Sequence, residues 1–272
     1  MDALTLLSDA QVAEAVEAAY DVFQYPFIPR IEVCRCAHCV SDADYEALIH
    51  TPVRQLPHRV LTEYTHSAHG VPADTTELKR LVPRYLELIA ADAPPDDLRI
   101  GRVLVRVGDM RRANASALTE AEREALDKWA NAVIRSGLDR AAGDARANLD
   151  PAGLLEVLIA GGWSARSLAS AYDLAFKGQG GTARQAAFST ALFRCAKPGK
   201  PDLDFLLPAA EFAPSVASDI ADWMGSAAFL KTLERNLLDA SGAPPGSATE
   251  AALYQLYDPL HRGVSPRFVH SD

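Results

Sequence analysis

The sequence predicts an all-α fold, an irregular multi-helix bundle of roughly a dozen helices. Three observations support this prediction. Polar helix-start signals recur along the chain, apolar residues between them keep a spacing of three and four, and segments typical of strands are scarce. Because regular helix pairs of this length can also stack on one another, a solenoid-like arrangement is the alternative architecture.

Each predicted helix start is a short polar residue followed three positions later by an acid or an amide. Such a pair can satisfy backbone N–H groups that have no partner in the first turn. These pairs are Ser8 with Gln11, Asp74 with Glu77, Thr119 with Glu122, Thr182 with Gln185, and Ser247 with Glu250. Asp150 before a proline marks a further start, since proline at the first helical position gives up an N–H that would be unpaired anyway.

Between these starts the apolar residues form stripes that predict amphipathic helices facing a core. One stripe consists of Leu78, Leu81, Val82, Tyr85, Leu86 and Ile89, and another of Leu126, Trp129, Ala130, Val133 and Ile134. The best strand candidate is residues 102–107, where β-branched residues partly alternate with charges, and we favour helix there as well.

Glycine and proline punctuate the chain without dividing it clearly. We predict one helical domain spanning 1–272, and a division into 1–143 and 150–272 at a polar stretch is the alternative. The glycine-rich segment 178–184 resembles an anion cradle at a helix start. No Gly-Lys-Ser/Thr follows it, so we interpret it as a turn with Thr182 as the cap.

Composition narrows the class of partner. A chain of 272 residues can bury a core without disulfides. Its 27 Lys and Arg against 36 Asp and Glu give a formal charge of −9, which disfavours binding to nucleic acid or to an anionic membrane surface.

The sequence also bears on location and source. We find no leader pattern and no long apolar run, and we therefore expect a cytoplasmic protein. Abundant alanine and arginine favour a bacterial source.

Three of the four cysteines lie within six residues, as Cys34, Cys36 and Cys39. The Cys-x-x-Cys pair lets two sulfurs bind one ion, and the cysteine just before it can be a third ligand where the chain is extended. Zinc is the expected cofactor. It takes four ligands, so a fourth would come from elsewhere; we select His69, with His58, His66 and Cys195 as the other candidates.

Two other interpretations of the cysteines stay open. The thiols are either packed and inert, or they are redox-active, because Ser41 to Asp44 looks like a helix cap and a helix N-terminus lowers a thiol pKa. Against redox use, the chain shows no βαβ pattern of the thioredoxin kind.

Several strings in the chain resemble an uncharacterised family of bacterial helical proteins that carries a Cys-x-His-Cys element near its N-terminus. These strings are residues 36–41, 51–56, 82–88 and 221–226. The resemblance implies a helical fold and the Cys-x-His-Cys element, and no activity. Cys34 departs from the family pattern.

The sequence contains no nucleophile elbow, no paired-carboxylate motif, no cofactor fingerprint and no basic face. We therefore expect a module that binds another protein rather than an enzyme. The alternative is a metal-dependent or thiol-dependent enzyme that uses the Cys34 to Cys39 loop and a histidine among His58, His66 and His69. Substrate, partner and oligomeric state stay open.

Overall fold

The computed structural model describes residues 9–26, 30–36, 39–67, 76–95, 103–113, 117–143, 149–194, 204–205, 213–241, 247–263 and 267–268. Twelve α-helices lie in these ranges, and the predicted all-α fold class is confirmed. Within the same ranges, no helix combines the length and the apolar character needed to cross a membrane. The chain clusters into two compact units, Met1–Val133 and Ile134–Asp272.

The described residues of the first unit form five helices and the start of a sixth. They are α1 (Ala10–Val22), α2 (Asp42–His50), α3 (His58–His66), α4 (Thr76–Ala90), α5 (Val105–Ala113) and the N-terminal part of α6 (Glu120–Ala142), with a single 3₁₀ turn at Val53–Gln55. The strand candidate 102–107 is helical from its fourth residue onward, as predicted, while residue 102 lies outside the described ranges.

The described residues of the second unit form the end of α6 and six further helices. They are α7 (Pro151–Ala160), α8 (Ala165–Ala175), α9 (Gly181–Arg194), α10 (Pro214–Met224), α11 (Ala227–Ser241) and α12 (Ala248–His261). Two residue pairs, β1 (Asp204–Phe205) and β2 (Arg267–Phe268), form a short parallel ladder. Five aromatic rings pack together in the second unit, with neighbouring ring centroids 4.9–6.3 Å apart: Tyr172, Phe176, Phe188, Trp223 and Phe229.

Three of the predicted helix starts are confirmed. Thr119 and Glu122 form a reciprocal capping box, because each side chain accepts a hydrogen bond from the other residue's backbone N–H. Ser247 caps α12 by accepting from the N–H of Glu250 at 3.1 Å. Asp150 does the same for α7, where the proline occupies the first helical position.

One further predicted start is wrong, and two lie outside the described residues. Thr182 is not the cap of α9, because the helix already begins at Gly181. Ser8 lies outside the described residues, and Asp9 is the residue that caps α1. Asp74 also lies outside them.

The glycine-rich turn before α9 is occupied by a guanidinium rather than open to an anion. Gly178 and Gly180 adopt positive φ angles of 77°. Arg184 folds back into the turn and donates to the carbonyl oxygens of Ala175 and Gln179 at 3.2 and 3.1 Å. The turn therefore presents acceptors to a buried cation, and the choice of a turn over an anion cradle is supported.

Helix α4 differs most from its predicted environment. The apolar stripe predicted one buried face and one solvated face, yet every residue from Glu77 to Ala90 is buried. The five charged side chains on this helix are therefore enclosed, and burial of a charge is costly unless it is paired. The prediction of an ordinary amphipathic helix was wrong here.

The enclosed charges of α4 are paired with side chains and carbonyl groups of the first unit. One carboxylate oxygen of Glu87, a fully buried residue, accepts from Tyr20 Oη at 2.5 Å and from Arg84 Nη1 at 2.6 Å. Lys79 donates to Glu122 at 3.1 Å. Arg80 donates to two backbone carbonyl oxygens at the end of α2. The charged side chains of α4 are therefore buried beside groups that pair with them.

Candidate metal centre

The three clustered cysteines converge on one point. The sulfur atoms of Cys34, Cys36 and Cys39 all lie within 4.8 Å of one another. Three thiolates that bind one zinc ion at about 2.3 Å are roughly 3.8 Å apart, so modest side-chain rotation would bring these sulfurs to binding distance. The arrangement could hold a metal ion.

Two backbone hydrogen bonds produce this convergence. The N–H of Cys39 donates to the carbonyl oxygen of Cys36 at 3.1 Å, which closes a tight turn over the Cys-x-x-Cys pair. The N–H of Val40 donates to the carbonyl oxygen of Cys34 at 3.2 Å, which brings the first cysteine back beside the last. The segment is thus folded on itself by its own backbone.

The loop is attached to α2 on its C-terminal side. Val40 is fully buried, and Ser41 caps α2 by accepting from the N–H of Asp44 at 3.2 Å. Because Ser41 follows Cys39 by two residues, the cap fixes where the ligand loop ends. The cap predicted from Ser41 to Asp44 is confirmed.

The N-terminal side of the loop is attached to two helices. The backbone N–H of Ile31 donates to Tyr45 Oη on α2 at 3.3 Å. The N–H of Glu32 donates to the carboxylate of Glu77 on α4 at 3.0 Å. The second carboxylate oxygen of Glu77 accepts from Tyr64 Oη at 2.7 Å, so this anchor is itself held by α3.

Arg35, between the first two cysteines, is held against α2. Its guanidinium carbon lies 4.1 Å from the centroid of the Tyr45 ring, in a cation–π contact. The same group donates to Asp42 at 2.5 Å. The side chain is therefore engaged with the first turns of α2.

Asp44 extends this attachment to α3. Its buried carboxylate accepts from both terminal nitrogens of Arg59, at 2.7 and 2.5 Å, and from the hydroxyl of Ser41 at 2.7 Å. Hydrogen bonding to the Arg59 guanidinium holds the pKa of Asp44 below its usual value. The Asp44 carboxylate, which accepts from the capping residue Ser41, is therefore ionised in neutral solution.

The centre is open to solvent on one side. Cys36 is exposed, while Cys34 and Cys39 are half-buried. An ion could reach the sulfurs without any opening of the core, and so could a small dissolved reagent.

The predicted histidine ligands do not appear in the described ligand group. His69 and Cys195 lie outside the described residues. His58 and His66 are described, but neither belongs to the group, and the His58 Nε2 atom lies 2.9 Å from the carbonyl oxygen of Pro94. Within the described ranges, three sulfurs form the whole ligand set.

Two supporting residues were not anticipated from the sequence. Tyr45 reads as an ordinary apolar position of α2, and Glu77 reads as the acid of a helix-start pair. Their hydrogen bonds to the backbone of residues 31 and 32 span 14 and 45 positions in sequence. A spacing rule within one helix carries no signal for such contacts.

Comparison with protein-family models, with curated proteins and with solved structures gives no match to this chain. The resemblance of its Cys-x-His-Cys element to a family of bacterial helical proteins stays a prediction.

Proposed function

We propose that Cys34, Cys36 and Cys39 bind one zinc ion, and that the ion holds the loop from Cys34 to Cys39 in its folded form. The convergence of three sulfurs within 4.8 Å carries this proposal. Thiolate sulfur is a preferred ligand of zinc, and such a cluster has little reason to form in a chain that is large enough to bury a core without it.

The fourth coordination position is proposed for His69, as the sequence analysis selected. A closed site of four protein ligands is typical of structural zinc. The firm attachment of both ends of the loop, through Ser41 on one side and through Tyr45 and Glu77 on the other, supports a structural role.

In this proposal the protein works in the cytoplasm as a helical module that binds another protein. A reducing compartment keeps crowded thiols available to a metal. A specific surface feature favours an interaction role. Leu238 on α11 is 72% exposed and Tyr254 on α12 is 57% exposed, whereas leucine is usually buried and tyrosine is usually at least partly buried.

These two side chains belong to neighbouring surfaces. Tyr257 of α12 donates to Glu234 of α11 at 3.1 Å, and only residues 242–247 separate the two helices in sequence. In an antiparallel pair, one turn beyond Glu234 and one turn before Tyr257 lie side by side, at Leu238 and Tyr254. Sedimentation velocity tests whether the partner is a second copy of this chain, by comparing the wild type with a Leu238→Glu, Tyr254→Glu variant. Equal masses for the two proteins would contradict self-association through these side chains.

The alternative function is catalysis at the same centre. A catalytic zinc site keeps one position for water or substrate, and the exposure of Cys36 favours such access. In that case one of His58, His66 and His69 would act on the substrate instead of closing the coordination sphere.

Elemental analysis combined with thiol titration tests the zinc proposal. The wild type is the reference for metal content, because Cys195 is also a candidate ligand; the Cys195→Ser variant is used for the thiol count, because every thiol then counted belongs to the cluster. We expect one zinc per chain, with all thiols protected until a chelator is added. The triple variant Cys34→Ser, Cys36→Ser, Cys39→Ser should bind none. A wild type that carries no metal and has fully reactive thiols would overturn the proposal.

A His69→Ala variant separates the structural from the catalytic form. Structural zinc with His69 as ligand predicts weaker binding of zinc, measured by competition with a chromogenic chelator. Unchanged affinity would show that the fourth position is held by another group or by water.

A further inference from the structure

We propose that peroxide oxidises Cys36 and Cys39 to a disulfide and thereby expels the metal ion, so that the centre is a redox-sensitive switch. This inference rests on the proposed zinc site and adds its regulation. It concerns the same three sulfurs, and it identifies which of them reacts first and which one resolves the intermediate.

Accessibility assigns the first step to Cys36. Its residue is exposed, whereas Cys34 and Cys39 are half-buried. A peroxide molecule in solution therefore meets the Cys36 sulfur first. Oxidation of cysteine follows thiolate character and exposure, and zinc binding requires the thiolate form.

Backbone geometry assigns the second step to Cys39. The hydrogen bond from the Cys39 N–H to the Cys36 carbonyl oxygen holds the pair in a tight turn with two residues between them. Their sulfurs lie within 4.8 Å of each other, and a disulfide requires a shorter separation that side-chain rotation can supply. A Cys-x-x-Cys pair in such a turn is a common disulfide-forming unit.

The chemistry balances with peroxide as the named oxidant. The Cys36 thiolate attacks one peroxide oxygen, the O–O bond breaks, and a sulfenic acid and hydroxide result. The Cys39 thiolate then attacks the Cys36 sulfur, the S–O bond breaks, and a second hydroxide leaves. Two thiolates are oxidised, one peroxide is reduced, and the zinc ion loses two of its sulfur ligands.

Release of the ion reaches the helices through the loop's attachments. The segment that carries the cysteines is bonded to Tyr45 on α2 and to Glu77 on α4. A disulfide pulls the Cys36 and Cys39 sulfurs to a bond length and leaves Cys34 without the ion that joined it to them. The change therefore occurs between residues 31 and 32, which are bonded to α2 and α4, and Ser41, which caps α2.

The test uses zinc-loaded full-length Cys195→Ser protein whose metal content has first been measured. Hydrogen peroxide is added, released zinc is followed with a chromogenic chelator, and the cysteines are mapped by peptide mass spectrometry. We expect one zinc released for each Cys36–Cys39 disulfide formed, with binding restored after reduction by dithiothreitol.

Variants assign the roles. In Cys36→Ser protein we expect peroxide to oxidise the two remaining cluster cysteines at least about tenfold more slowly, measured by peptide mass spectrometry, because the accessible thiolate is gone. Cys34→Ser is the matched control: it removes one ligand of the same loop and keeps the reacting pair, so peroxide should still link Cys36 to Cys39.

The outcomes separate the inference from the proposal on which it rests. Wild-type protein that contains no zinc before treatment overturns both. Zinc-loaded protein that keeps its ion in peroxide, or that forms a disulfide through Cys34 instead, overturns the switch alone.

Discussion

Single residues in the first unit show how this chain keeps charges in its interior. Arg84 of α4 is 8% exposed, and its guanidinium donates both to Glu87 and to the carbonyl oxygen of Leu56. Tyr20 donates to the same oxygen of Glu87. Burial and the neighbouring Glu87 carboxylate raise the pKa of Tyr20 far above its usual value. The phenol therefore stays a donor at any physiological pH.

We predict that Arg84→Met lowers the free energy of unfolding by about 3–5 kcal/mol, because it leaves the Glu87 carboxylate buried without its counterion. Denaturant titration measures the change. Lys128→Met is the matched control, since Lys128 pairs with Glu14 at an exposed position of the same unit. A loss for Arg84→Met no larger than that for the control would contradict the prediction.

Asp44 predicts a pH dependence. Its folded-state pKa is lowered by Arg59, so its contribution to stability is complete above the unfolded pKa of about 3.9 and is lost as the pH falls through the lower folded value. We expect metal-free wild type to be more stable than Asp44→Asn at neutral pH, with the difference shrinking below about pH 4. A difference that is constant from neutral to acid pH would contradict this.

At the scale of elements, helix starts are predictable where the cap and its partner are close in sequence. Thr119 with Glu122 and Ser247 with Glu250 formed as expected, because the interaction is contained within one turn. The start at Thr182 failed for a tertiary reason. Arg184 occupies the turn before α9. The side-chain oxygen of Gln185 accepts from Asn236 at 2.6 Å, so this oxygen is not available to a backbone N–H at the helix start.

Gly181, the first residue of α9, is the subject of a stability prediction. A Cβ atom at this position would lie 2.3 Å from the carbonyl oxygen of Phe176, an oxygen that also accepts from Asn236 at 3.1 Å. We expect Gly181→Ala to lower the free energy of unfolding by about 1–3 kcal/mol, because backbone rather than a flexible side chain must move. Gly225→Ala, whose Cβ meets nothing closer than 3.6 Å, should change stability little. Equal effects in denaturant titration would contradict the prediction.

At the scale of the whole molecule, the all-α class and the cysteine convergence could be predicted from sequence, and the environment of α4 could not. Helical spacing and Cys-x-x-Cys spacing are local signals, and both the helices and the sulfur cluster are present. Enclosure of α4 depends on partners far along the chain, such as Tyr20 and Glu122, whose bonds to α4 residues span 67 and 43 positions. No periodicity within α4 distinguishes a charge facing water from one facing such a partner.

We predict that the folded molecule survives loss of the proposed zinc ion. The described cysteines are not part of the buried core of either unit. Chelation should therefore lower the thermal midpoint and leave the helical circular dichroism signal at room temperature unchanged, unlike a zinc finger, which unfolds without its ion. The triple serine variant of the cluster is the control and should show no response to zinc. Loss of the helical signal on chelation would show that the fold depends on the ion.

The enclosure of α4 constrains how this chain can vary. Inserting or deleting one residue near its start turns the following side chains by about 100° around the helix axis. Glu87 would then face away from Tyr20, and the lysine that meets Glu122 would also point elsewhere. Length changes in this helix should therefore be far less tolerated than in any surface helix, and viable replacements of its ions should come as matched exchanges of both members of a pair.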